Sequence, residues 1–220
     1  MRTKRFLTLV VIGLMSLGWK MKQGDISSFN DRLGGSREGV RLLNAVFRPS
    51  SDSRVVRKPI RVRVLREQDM GKSRAHTQCH KDPIQINLSE SQQSRDRALL
   101  NYVYELRNST LCDGFVEAKG AADGMEYAKR ILSLEALSNL TRAKIAEQLG
   151  IKRKDYVLNF GNPVTASMAY TLANTETGLT EKNTQEVMAL LMMHMGKVMG
   201  MSALSYYSTV AFDKVRKGSK

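Results

Sequence analysis

The spacing of apolar residues changes abruptly near Ser89, and that change constrains the fold more than any other feature of the chain. Upstream, Ile84, Ile86 and Leu88 alternate with Gln85 and Asn87, the period of a strand with one face on a core. Downstream, the stretch from Ala98 through Tyr102, Tyr104 and Glu105 to Asn108 reads as an amphipathic helix, with Ser89 or Ser91 as its cap. Helical spacing then dominates. Asp123 to Leu149 carries Tyr127, Ala128, Ile131, Leu132, Ala136, Leu140 and Ile145 on a broad apolar face and closes at Gly150. A short helix is predicted over about Val164 to Ala173. Thr180, with Asn183 as second choice, is the N-cap expected before a largely apolar segment, Val187 to Val210, read as a buried helix or a bent pair broken near Gly200. Gly196 and Gly200 form a GxxxG spacing that allows close helix packing. Earlier in the chain, Asp31 to Phe47 predicts a short helix after Gly34-Gly35. Within 55–65, Ile60, Val62 and Val64 alternate with Arg61 and Arg63, a half-exposed strand. The fold class expected is α+β, a mainly helical core with a small β-sheet formed by strands of the N-terminal half.

A chain of 220 residues suits one well-buried domain. Met1-Arg2-Thr3-Lys4-Arg5, the apolar run Phe6 to Leu17 and the small residues Ser16 and Gly18 read as a signal peptide over 1–18, cleaved before Trp19. An uncleaved tether, or a start at Met15 or Met21, are the competing readings. Residues 19–75 form a basic, partly ordered N-terminal segment, and residues 76–220 a mainly helical core domain. Cys79 and Cys112 fit an oxidising compartment if they pair, and two separate buried thiols are the alternative. Export to the periplasm or beyond, with delivery to a target cell, is the localisation expected.

Charge is placed unevenly. Residues 1–75 hold 17 lysines and arginines against 6 acidic residues, whereas residues 76–220 hold 18 against 15. A basic segment over 20–75 attracts an anionic surface or an acidic partner, and Arg57, Lys58, Arg61, Arg63 and Arg66 are its candidate binding residues. No zinc-finger spacing or aromatic-interleaved basic patch is present, so no specific nucleic acid is expected.

Tyr104-Glu105-Leu106-Arg107-Asn108 occupies the frame in which a zinc peptidase carries H-E-x-x-H, two histidines one turn apart on the metal and a glutamate activating water. Here the glutamate stands and both ligand positions hold residues that are not ordinary zinc ligands. The run from Ile84 to Gln148, with Leu100, this pentapeptide, Glu126-Tyr127-Ala128-Lys129-Arg130-Ile131 and Glu135-Ala136-Leu137-Ser138, resembles secreted effector proteins of Gram-negative bacteria, some associated with type VI secretion. Such proteins are similar in arrangement to metallopeptidase domains whose histidines have been replaced. The resemblance implies virulence-type action on a host cell or a competitor, exerted by binding a protein partner.

Glu105 is the candidate catalytic residue. His76, Cys79 and His80 put three ligand-type side chains within five residues, in a segment read as a loop, and are the candidates for a zinc site. No cofactor is otherwise expected. A metal-dependent hydrolase using Glu105 with His76, His80 or His194 is the alternative function, and a basic nucleic-acid-binding protein a further one. Met188, Met192, Met195 and Met199 recur at helical spacing beside His194, and core packing explains them better than copper. Glu126 and Glu135 are expected to anchor a helix pair with the Glu105 helix.

Overall fold

The computed structural model describes residues 19–47, 58–71, 73–152, 163–174 and 179–218. The signal-like residues 1–18, Arg57 and the start of the strand read over 55–65 lie outside these. Strand β1 (Trp19–Lys20) leads into helices α1 (Asp25–Gly34) and α2 (Arg37–Phe47). Strand β2 (Ile60–Leu65), the single turn α3 (Glu67–Met70) and the strands β3 (Ala75–Gln78) and β4 (Ile84–Ser89) follow. A short strand β5 (Ser91–Gln92) precedes helices α4 (Arg95–Thr110), α5 (Cys112–Ala118) and α6 (Gly124–Gln148). Beyond them come α7 (Pro163–Asn174), α8 (Glu181–Met195), the strands β6 (Lys197–Val198) and β7 (Met201–Ser202), α9 (Ala203–Ser205), a π-helical stretch (Tyr206–Ala211) and α10 (Phe212–Gly218). The fold is α+β, a helical core carrying sheets of two or three strands.

The main sheet has the order β2-β4-β3, with β2 parallel and β3 antiparallel to the central β4. Its register sets Val62 beside Ile86 and Val64 beside Leu88, so the alternating apolar residues share one face. Ile86 and Leu88 are fully buried there, against the helices. Arg61 and Arg63 turn to the other face and are exposed. The segment read as a loop around His76 is therefore the edge strand β3. Its residues Ala75 to Gln78 lack an apolar alternation, and pairing with β4 rather than side-chain pattern makes it a strand.

Ser89 and Ser91 do not cap the helix. Ser91 pairs with Lys20 in a small antiparallel sheet, and Ser94 is the cap, its Oγ accepting the Arg97 amide at 3.2 Å. Almost every face of α4 is covered, with Leu99, Tyr102, Val103 and Leu106 wholly buried. Part of that cover comes from the basic N-terminal segment. Met21, Phe29, Leu33, Leu42 and Val46 enter the same core as Leu132, Ile145 and Met188. Phe29 stacks between Trp19 and Tyr102 at 6.1 Å from each ring, and Tyr102 Oη donates to Asn30 Oδ1 at 2.9 Å. Burial of each such side chain contributes roughly 2 kcal/mol.

Helix α6 keeps its expected ends: Asp123 accepts the Glu126 amide at 2.8 Å, and Gly150 takes the positive φ of +64° at the exit. Its first residue, Gly124, lies under the Ser208 carbonyl so closely that a Cβ would stand 1.9 Å from that oxygen. The GxxxG segment is not a continuous helix face, though Gly196 lets Ala203 of α9 approach closely. Gly196 ends α8, and Met199 and Gly200 take positive φ in the β6–β7 turn, which breaks the long apolar segment into two arms.

Cys79, just past β3, is bridged to Cys112 at the start of α5, a link across 33 residues. Replacing both by serine removes that constraint from the unfolded chain, with an expected loss of about 3 kcal/mol. Urea denaturation with and without reductant measures it. An unchanged midpoint would show that the loop between them is already held by β3, β4 and α4.

Candidate functional site

Three walls meet around a cavity of about 420 Å³. Edge strand β3 and its turn supply Ala75, Thr77, His76 and His80. Helix α4 supplies Tyr104, Glu105 and Asn108. The rest comes from α5, from Tyr127, Ile131 and Glu135 on α6, and from Val198 and Tyr207 late in the chain.

Glu105 is 3% exposed. The edge strand reaches it through Thr77, whose Oγ1 lies 2.7 Å from Glu105 Oε2 and 3.1 Å from the Glu105 carbonyl oxygen. Thr77 faces α4 because it pairs with Ile86 and so shares the core face of the sheet. Asn108, one turn along, also draws the pKa of the Glu105 carboxyl downward. Its Oδ1 accepts Ser138 Oγ at 2.6 Å and ties α4 to α6. Burial pushes the Glu105 carboxyl up to about 7, against the pull of Thr77, Asn108 and the Arg142 charge.

Glu135 stands on α6. Its Oε2 is shut from solvent and has no hydrogen-bond partner among the described residues. Burial raises its carboxyl to about 8, with Arg142 opposing. Arg142, two turns further along the same helix, has no exposed surface. Its guanidinium lies 5.0 Å from the centre of the Tyr104 ring, and Nη2 donates to Asn139 Oδ1 at 2.9 Å. Tyr207 holds its phenol proton well past neutral pH through burial and the nearby carboxyls Glu135 and Glu105. Among the described residues the cavity thus has two carboxyls that exchange protons near neutrality, the Arg142 cation behind them, Lys119 at the rim and several aromatic rings.

The other predicted residues divide. His76 lines the cavity, but its Nε2 sits 3.0 Å from Asn87 Nδ2 on the outer face of the sheet, and burial lowers its pKa below the usual histidine value. His80 is exposed at the rim. Cys79 is spent in the disulfide and offers neither a thiolate ligand nor a nucleophile. His194 is exposed at the end of α8, away from the cavity lining. Among the described residues no group of three or more His, Cys, Asp or Glu is gathered closely enough to hold a metal ion. Lys58, Arg61, Arg63 and Arg66 are exposed along β2 and its ends. Met188 and Met192 are core residues, whereas Met199 is exposed in the β6–β7 turn. Glu126 does not approach α4. It accepts the Ala122 amide at 2.7 Å and pairs with Arg130, which holds its carboxyl below the usual range.

Donor chemistry at Tyr104 and Asn108 does not fit zinc. Asn108 Oδ1 is already an acceptor for Ser138, and the Tyr104 ring carries a guanidinium at its face. A dication there would face the charge of Arg142. Arg142, Thr77 and Tyr207 were not marked by any motif. One signal was present: Glu135, Ser138, Asn139 and Arg142 recur at helical spacing on a helix whose neighbouring positions are apolar, a polar stripe aimed inward. Comparison with protein-family models, curated proteins and solved structures gives no match.

Proposed function

We propose that this chain is an exported bacterial interaction protein of the effector kind, built on a metallopeptidase-like core without metal ligands and acting by binding a protein partner at the cavity beside β3. The observation that carries this reading is the charge pattern around Glu105. Where a zinc peptidase would set a dication between two histidines and an acidic third ligand, this site has Tyr104, Asn108 and Glu135, and its positive charge comes from Arg142. A cation built into a core helix stabilises a fixed arrangement and leaves the cavity open to a ligand. The Cys79–Cys112 bridge supports an oxidising destination. The exposed Lys58, Arg61, Arg63 and Arg66 form no ion pair among the described residues, which supports a role in drawing the protein to an anionic surface.

Metal analysis of the full chain, purified without a histidine tag, tests the reading. The expected result is no stoichiometric zinc, and a melting temperature unmoved by added zinc or by chelator. About one zinc per chain, lost in Glu105→Gln or Glu135→Gln, would overturn it in favour of the metal-dependent hydrolase.

A further inference from the structure

Carboxyl groups dominate the inner part of the cavity. Glu105 from α4 and Glu135 from α6 line it, with the buried guanidinium of Arg142 behind them and Lys119 exposed at the rim. Lys119 stays in water and is screened there, so with both carboxyls ionised the inner part holds two negative charges against the one positive charge of Arg142. One oxygen of Glu135 has no hydrogen-bond partner among the described residues. Around these groups stand the rings of Tyr104, Phe115, Tyr127 and Tyr207. Carboxylate and aromatic faces together are the surroundings that stabilise an ammonium group out of water.

We propose that the cavity is a receptor site for a single primary ammonium group, presented by the partner as a lysine side chain or a free chain terminus. This rests on the binding reading above and names the chemistry that the partner must offer. Its volume of about 420 Å³ lies within the range of small-ligand pockets and admits such a group together with its flanking atoms. Burial keeps protons on the carboxyls near neutrality, and the Glu135 proton stands where a ligand charge would be compensated. An arriving ammonium replaces that proton, so binding releases up to about one proton into solution. The other charged or titratable groups facing the site are His76 and His80 from the β3 side and Lys119 after α5, with the phenols of Tyr104, Tyr127 and Tyr207. Lys119 and His80 are exposed at the rim. They favour a ligand that carries polar acceptors, such as peptide carbonyls, behind its ammonium.

Titration calorimetry on the full chain tests the proposal with two pairs of probes. Nα-acetyl-lysine methylamide is compared with its Nε-acetylated twin, and glycine methylamide with its N-acetylated twin. At least one free amine is expected to bind at pH 8 tenfold or more tightly than its neutral twin, and which one does identifies the source of the ammonium. Its affinity is expected to fall roughly tenfold per pH unit below the Glu135 value. Buffers of different ionisation enthalpy should report release of about half a proton from Glu135 at pH 8, rising toward about one at pH 7. Glu135→Gln, isosteric with the protonated carboxyl and so expected to fold, should lose the preference for the free amine. Equal binding of amine and twin, no binding by any probe, or an unchanged preference in Glu135→Gln would each overturn the proposal. Those failures concern the ligand alone, because the zinc measurement tests the underlying reading separately.

Discussion

Replacing Arg142 with methionine is expected to destabilise the protein by about 3–5 kcal/mol at neutral pH, the loss typical of removing one partner from a buried charged group. The side chain is wholly buried, lies over the Tyr104 ring and donates to Asn139. Its charge also holds down both cavity carboxyls, so its removal drives Glu105 and Glu135 further toward the protonated form. Urea denaturation at fixed pH measures the effect. Arg142→Lys should fall between, because an ammonium keeps the charge and loses the planar stacking and forked donors. Combining Arg142→Met with Glu105→Gln and Glu135→Gln should recover part of the loss. A loss below about 1 kcal/mol in the single variant would mean that the guanidinium is not the electrostatic centre of the site.

Stability should also fall as pH rises from about 5 to about 8. Glu105 and Glu135 titrate near 7 and 8 in the folded protein, against an ordinary glutamate value of 4.5. Below that ordinary value both states keep their protons and the carboxyls' contribution is fully present. Above it the unfolded chain releases protons that the folded protein retains, and the contribution is gone once pH has passed the folded values. For Glu105 the loss is on the order of 3 kcal/mol. His76 acts in the opposite sense. Its lowered value costs stability as pH falls below about 6.5, so the decline should be clearest between pH 6.5 and 8. Urea denaturation across this range is the measurement, and Glu105→Gln with Glu135→Gln should flatten the curve. Wild-type stability that rises between pH 6.5 and 8 would contradict the protonated state assigned to the cavity.

The helices were largely legible because their signals are local. Thr180 caps the helix it was expected to cap, the helix expected from about Asp123 begins there with Asp123 as its cap, and Gly150 sits at the turn where its φ is needed. The strands 60–65 and 84–89 follow from alternation. Edge strand β3 was not legible, since His76, Thr77 and Gln78 become a strand only through partners on β4. The site suffered from the same dependence. Glu105 stood out by the pentapeptide Tyr104–Asn108, but its neighbours Thr77, Glu135, Arg142 and Tyr207 reach it from three separate segments. Cys79 was ambiguous for a related reason: cysteine has two fates, and the one taken here depends on Cys112, 33 residues away.

Tyr207, on one wall of the cavity, belongs to the π-helical stretch whose Ser208 carbonyl rests against Gly124, while Thr77 on the opposite wall belongs to a strand formed far earlier in the chain. Contacts of such long sequence separation form late, because loop closure must precede them. The cavity therefore exists only once both ends of the chain have docked on the core. A chain whose two halves have not yet joined holds the chemical groups of the site scattered.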